Sequence, residues 1–283
     1  MFSSYIALMK LRVVELLVVT TVPALFLASH SVPPLAVSVA TLIGGTLAAG
    51  AANAFNMIIE SDIDQLMGRT SKRPIVNKEI TETQALIFAF SITIVSLSIF
   101  WFFTTKLATA LTAGAIIFYV FIYTIGLKRR TNQNIVWGGI AGCFPVIIGW
   151  SAITNSLSWT AALFFLVVFL WTPPHFWALA IKYRDDYSAA GIPMLPSVAP
   201  IGEVAKQMWF HTIAMFITSF LTLWSADAPT WSYLIALGLA IFFAYLMRGL
   251  TGASSDKVAM RVFHGSITYL SIYSILLVVV AFA

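Results

Sequence analysis

Charge is scarce in this sequence. Only 10% of its 283 residues are Asp, Glu, Lys or Arg, against 60% hydrophobic. That balance excludes an ordinary water-soluble domain and a disordered chain, and fits an integral membrane protein. Cysteine is almost missing too: Cys143 stands alone, which excludes an internal disulfide and leaves packing as its expected role. No secretory cleavage pattern and no Ser/Arg-rich transit segment precedes the first apolar run, so the plasma membrane of a prokaryote is the expected location. The apolar runs also lack the alternation of barrel strands, so helices are the spanning element.

What is present is a series of nine apolar runs near the length that crosses a bilayer, at 11–28, 34–55, 85–103, 107–127, 135–153, 158–181, 207–224, 231–247 and 265–282. With a cytoplasmic N-terminus, fifteen of the sixteen basic residues fall on one side of the membrane and only Lys106 on the other. The lopsided count supports both the number of spans and their orientation. It also explains the basic balance by topology and gives no reason to expect nucleic acid as a partner. No linker or low-complexity tract interrupts the chain, so residues 1–283 are read as one transmembrane domain of an all-α integral membrane protein.

Against this oily background the segment 53–74 is exceptional, with Glu60, Asp62, Asp64, Arg69, Lys72 and Arg73 close together. Carrying the helical period of the second run forward places Asn56, Glu60 and Asp64 four apart on one face, drifting about 40° per step. Clustered carboxylates repel unless a cation sits among them, and hard oxygen ligands suit Mg²⁺. The spacing alone equally allows a solvated helix end. Arg69, Lys72 and Arg73 follow as an exposed basic loop, read either as attraction to anionic lipid or as a clamp for phosphate oxygens. Lys128, Arg129 and Arg130 after the fourth run present the same choice.

The sixth run ends in Trp171-Thr-Pro-Pro-His175, with an ionisable ring in mid-membrane; a ligand contact and a neutral His hydrogen-bonded across helices are both open. Lys182, Arg184, Asp185, Asp186 and Tyr187 then form a second charged cluster on the same membrane face as the first. Two acidic clusters with interleaved bases and apolar walls are what an enzyme acting on an isoprenyl diphosphate requires: a metal and cations for the head, helices for the tail. A transporter or cation channel is the alternative from another class. Every acidic residue except Asp227 lies near one side, so no polar track crosses the membrane.

Asn56-x-x-x-Glu60-x-x-x-Asp64 resembles the N-x-x-x-D-x-x-x-D motif of the UbiA-type intramembrane prenyltransferases. Three further stretches resemble the haem-farnesylating members of that family: D-I-D-x-x-M-x-R-T-x-x-R-P from Asp62, L-K-R-R-T-x-Q-N-I-V-x-G-G from Leu127, and W-T-P-P-H-F-W-A-L-A with D-Y-x-x-A-G-I-P-M-L-P between Trp171 and Pro196. The resemblance implies nine helices around a central cavity, with the active site on the cytoplasmic side. It implies Mg²⁺ as cofactor, held by Asn56, Glu60 and Asp64, and a catalytic set completed by Asp186. Arg69, Lys72, Arg73, Lys128, Arg129 and Lys182 would bind diphosphate, and His175, Trp171 and Tyr187 would contact haem.

The implied reaction joins farnesyl diphosphate to a vinyl group of haem b with addition of water, giving haem O and diphosphate. Prenylation of an aromatic acid or quinone precursor is the alternative within the family. A downstream haem-modifying enzyme is an expected partner of such a product. Two departures stand out: Glu60 occupies a position usually Asp, and Lys182 stands where the second motif carries its first aspartate.

Overall fold

The computed structural model describes residues 2–68, 70–252 and 255–283, and its described residues form helices and connecting turns. A short helix α1 (Phe2–Met9) leads into α2 (Leu11–Ser29), α3 (Leu35–Ile59) and the one-turn α4 (Ser61–Asp64). After the loop come α5 (Glu82–Phe103), α6 (Lys106–Ile117) and a π-wound segment, Phe118–Leu127, that continues α6. Then follow α7 (Asn134–Gly138), α8 (Ile140–Thr154), α9 (Trp159–Lys182), α10 (Arg184–Ala189) and α11 (Leu195–Val198). The chain closes with α12 (Ile201–Ser225), α13 (Thr230–Leu246) and α14 (Ser255–Val280).

Seven helical stretches among the described residues are long and apolar enough to cross a membrane: Leu35–Ile59, Glu82–Phe103, Lys106–Leu127, Asn134–Thr154, Trp159–Lys182, Ile201–Ser225 and Ser255–Val280. The expected first and eighth spans correspond to shorter apolar helices, Leu17–Ser29 and Thr230–Leu246. Large apolar side chains point outward along these helices, among them Phe102 (76% exposed) and Ile94 (65%) on α5, as suits a chain whose solvent is hydrocarbon.

Close approach supplies much of the packing. A Cβ on Gly44 of α3 would lie 2.8 Å from Cε2 of Phe100 on α5, and Ser96 donates to the Gly44 carbonyl at 2.7 Å. Small residues at such contacts let van der Waals packing and interhelical hydrogen bonds replace the hydrophobic effect that lipid removes. The main core joins α8, α9, α12 and α14 around fully buried Phe164, Trp177, Met208, Met215, Tyr269 and Tyr273. A smaller one seats Leu8 of α1 against Ala54 and Met57 of α3 and Ala85 of α5. That second core fixes the N-terminal helix over the end of α3 where the acidic motif begins.

Candidate active site

The expected single helix face is realised on two consecutive helices. At Glu60 the backbone leaves the helical region, with φ −103° and ψ 13°, and α4 begins at the next residue. Helical hydrogen bonds nevertheless bridge the break, Glu60 N–H to the Asn56 carbonyl at 3.0 Å and Asp64 N–H to the Glu60 carbonyl at 2.9 Å. Asn56, Glu60 and Asp64 are all buried, at 1%, 1% and 3% exposure, which rules out the solvated helix end.

Each of the three meets a basic side chain from elsewhere. Lys10 Nζ donates to Asn56 Oδ1 at 2.8 Å, Lys128 Nζ to Glu60 Oε2 at 2.6 Å, and Arg73 pairs with Asp64 Oδ2. Among the described residues Glu60 Oε1 is buried without a hydrogen-bond partner. A buried carboxylate oxygen left unpaired is costly and marks a place for a further positive group.

Local structure explains how distant residues arrive there. Lys10 adopts a left-handed backbone, φ 50°, that turns the chain from α1 into α2, and Asn53 donates to the Met9 carbonyl beside it at 3.0 Å. Burial, and next the charges of Arg73 and Lys128, push the Lys10 ammonium well below its ordinary pKa, because both disfavour its charged form. Lys128 is delivered by the π-wound segment, whose i→i+5 bonding continues to Lys128 N–H and the Tyr123 carbonyl at 3.0 Å. The same winding lets Thr124 Oγ1 donate to the Tyr119 carbonyl at 2.9 Å while accepting from Asn56 Nδ2 at 3.2 Å.

Most of these groups reach one end of a cavity of roughly 340 Å³, but Glu60 and Thr124 are not among its lining residues. Lys10, Asn56, Asp64, Arg73 and Lys128 line that end together with Tyr119 and Tyr123. The rest is mostly apolar, with threonines interspersed: Gly45, Ala48, Ala49 and Ala52 of α3 leave space that Leu42, Phe144, Ile148 and Trp171 wall in. An anionic head fits one end and a hydrocarbon chain the other. No group of three or more His, Cys, Asp or Glu gathers as a metal cage among the described residues. The donor set is instead mixed, two carboxylates and an amide, which suits Mg²⁺ bound jointly with phosphate oxygens, and the unpaired Glu60 oxygen fits that use.

The other expected site residues divide. Arg69 lies outside the described residues. Lys72 is exposed and does not line the cavity. Arg129 forks onto the Asp62 carboxylate at 2.8 and 2.9 Å and reaches the Ile59 carbonyl at 3.3 Å. That bond holds the Asp62 carboxyl below its usual pKa and raises the Arg129 guanidinium above its own. It ties the loop carrying Lys128 to the α3–α4 junction.

Trp171 and Tyr187 line the cavity. Trp171 Nε1 donates to the Ser266 carbonyl at 2.7 Å. His175 sits behind, stacked between Trp171 and Phe263 with ring centroids 4.2 and 4.6 Å away, its Nδ1 2.7 Å from Ser266 Oγ. Asp186 is half-buried and Lys182 exposed, with Lys182 Nζ 5.6 Å from the Tyr183 ring centroid. His175, Asp186 and Lys182 are not among the cavity-lining residues. Lys10, Tyr119 and Thr124 were missed from the sequence. Lys10 reads there only as an orientation charge, and no local period announces the π winding.

Known proteins match both the sequence and the fold. The model of the UbiA prenyltransferase family matches residues 17–275. The chain is 51% identical over 286 residues to a protoheme IX farnesyltransferase of Frankia casuarinae, covering 98% of this chain and 97% of that one. It is 46% identical over 277 residues to the protein of the same name in Streptomyces coelicolor, covering 95% and 88%. Its fold matches a digeranylgeranylglyceryl phosphate synthase with a TM-score of 0.82 at 16% identity, over 99% and 98% of the two chains. It also matches a UbiA homologue from Archaeoglobus fulgidus bound to GPP and Mg²⁺, with a TM-score of 0.71 at 14% identity over 98% and 100%. A family model spanning nearly the whole helical region, around a cavity that pairs an acidic motif with bases at one end, leads to one conclusion: the chain belongs to the UbiA prenyltransferase family.

Proposed function

We propose that this protein transfers the farnesyl group of farnesyl diphosphate to a vinyl group of haem b, with water adding, to give haem O and diphosphate. The observation that carries the donor half is the cavity with a charged end and an apolar length. The acceptor follows from relatives that are about half identical over nearly the full chain and carry the name protoheme IX farnesyltransferase.

The donor would lie with its diphosphate against Lys10, Arg73 and Lys128 and its hydrocarbon along α3 and α8. Asn56, Glu60 and Asp64 would hold Mg²⁺, which when bound neutralises charge on the departing diphosphate. Support comes from the mixed donor set here, and from the Mg²⁺ and GPP of the Archaeoglobus fulgidus homologue. Arg73 and Lys128 release the carboxylates they hold and donate to phosphate oxygens, so the charge that develops as the allylic carbon–oxygen bond breaks meets donors already in place. Tyr119 and Tyr123 present rings to the electron-poor carbon left behind. Apolar walls keep water from that carbon until the vinyl group attacks.

On the acceptor side we assign Trp171 and Tyr187 to the haem face. His175 is assigned to hold Trp171 in place. Lys182 at the end of α9 and Asp186 on α10 next to Tyr187 belong to the rim of the site, and Lys72, Arg69 and Arg129 to its basic mouth. The site is assigned to the cytoplasmic side of a single domain, 1–283, with nine spans and a cytoplasmic N-terminus; the fifteen-to-one division of basic residues supports that orientation. A haem O product so apolar would pass to a downstream haem-modifying enzyme within the membrane.

Haem extraction and chromatography after expression in a host lacking haem O tests the reading. A later-eluting haem O is expected. Consumption of a hydroxybenzoate or naphthoate in place of haem b would favour the aromatic-acceptor alternative.

A further inference from the structure

The stretch from Leu127 to Gly139 supplies the bases Lys128 and Arg129, and its other polar residues tie that stretch to distant parts of the chain. Asn134, at the start of α7, is fully buried. Its Nδ2 donates to the Lys128 carbonyl at 3.2 Å and to the Pro193 carbonyl, 59 residues further on, at 3.4 Å. Lys128 lines the charged end of the cavity. Pro193 stands between Ile192 and Met194, which also line the cavity, as does Tyr187 earlier in the same loop. One amide therefore joins the backbone that carries a diphosphate-facing base to the backbone that carries the haem-facing wall.

Each side is closed on itself without this link. On one, Lys128 N–H bonds the Tyr123 carbonyl, Arg129 grips Asp62, and Gln133 Nε2 donates to Gln207 Oε1 at 3.2 Å. On the other, Ile192 N–H bonds the Tyr187 carbonyl at 3.0 Å, and Ser197 Oγ donates to the Met194 carbonyl at 2.7 Å. What Asn134 adds is the spacing between the two. Stability alone is a poor reason for an amide there: Asn134 Oδ1 is buried with no hydrogen-bond partner among the described residues, which offsets much of what the two donated bonds return.

We propose that Asn134 is a positioning residue that sets the acceptor loop, 187–194, against the donor end, so that the vinyl carbon meets the allylic carbon as the bond to diphosphate breaks. This rests on reading the cavity as the site of farnesyl transfer to haem. Reacting atoms must lie about 3–3.5 Å apart, and a misplacement of about 1 Å costs on the order of 100-fold. When the acceptor loop drifts, water takes the place of the vinyl group. Its oxygen bonds the allylic carbon, diphosphate leaves with the bonding electron pair, and the water proton passes to solvent, giving farnesol.

Counting farnesol and haem O together tests this, using the purified full chain in proteoliposomes with farnesyl diphosphate, haem b and Mg²⁺, and subtracting farnesol formed without protein. The wild type is expected to give chiefly haem O. Asn134→Ala and the isosteric Asn134→Asp are expected to lower haem O formation about tenfold or more and to raise the farnesol released per haem O several-fold. Asn134→Ser, which retains a hydroxyl donor, should lie between. The ratio is read on active molecules, so partial loss of folded protein leaves it unmoved. An unchanged ratio, or loss of both products in step, would overturn the proposal while the wild-type haem O leaves the site's reading standing. A wild type that makes no haem O would sink that reading itself.

Discussion

Lys128 Nζ stands 2.6 Å from Glu60 Oε2, while the other oxygen of the same carboxylate is buried with no partner among the described residues. One carboxylate is therefore half committed to a base and half open. Glu60→Gln keeps the size and removes the charge; Asp64→Asn does the same beside Arg73. Each is expected to lower farnesyl transfer by about 100-fold or more, the scale of losing one preorganised electrostatic contact in a dry site. Because Asp64 is buried and paired, its substitution also costs about 1–3 kcal/mol of stability. Turnover and thermal melting on the same preparations separate the two effects, and a melting loss with activity per folded molecule intact would assign the pair to structure.

Asp62 acts on the site through Arg129. The fork between them is exposed, so breaking it costs at most about 1 kcal/mol, yet it anchors the loop that carries Lys128. Asp62→Asn is expected to raise KM for farnesyl diphosphate several-fold with kcat nearly unchanged. The Asp62 carboxyl is held below its usual pKa, so its contribution is complete above the ordinary carboxylate range and fades only as pH falls through the lowered value. The wild-type KM should therefore show no Asp62 titration around neutrality.

Two neighbouring glycines separate fold from cavity. A Cβ on Gly138 would overlap the Tyr123 ring of the π-wound segment, whereas one on Gly142, which lines the cavity, meets nothing within 4 Å. Gly138→Ala is expected to cost about 1–3 kcal/mol by overpacking. Gly142→Ala should stay within about 0.5 kcal/mol of wild type. Thermal melts of both variants check the contrast.

His175 is clamped by two rings and a hydroxyl behind the cavity wall. His175→Phe keeps its shape, and Ser266 Oγ retains its bond to the Phe263 carbonyl at 2.6 Å, so a cost near 1 kcal/mol follows. Haem titrated into this variant should give the wild-type Soret band and an affinity within about twofold. A shifted or lost Soret band would give His175 a direct haem contact.

The helical frame was readable because a chain in lipid must satisfy its backbone within each segment. The expected run 158–181 lies on Trp159–Lys182 and its capping Ser158, and the run 85–103 lies inside Glu82–Phe103. Boundaries moved where polar residues extend a helix past the apolar run, as where α14 begins at Ser255, ten residues ahead of the expected 265. The spacing of Asn56, Glu60 and Asp64 was legible, but not the break at Glu60, since a change of backbone angle at one residue leaves the period intact. The partner of each side chain was hidden further. Lys10 and Asn56 are 46 residues apart, and only the packing of α1 over α3 brings them together.

Transfer of a farnesyl group to haem at this cavity is measured most directly as product formation in membranes containing the protein, supplied with haem b, farnesyl diphosphate and Mg²⁺. Haem O should appear with the wild type and fall by about 100-fold with Asp64→Asn. Folded wild-type protein that yields no haem O under these conditions would contradict farnesyl transfer to haem.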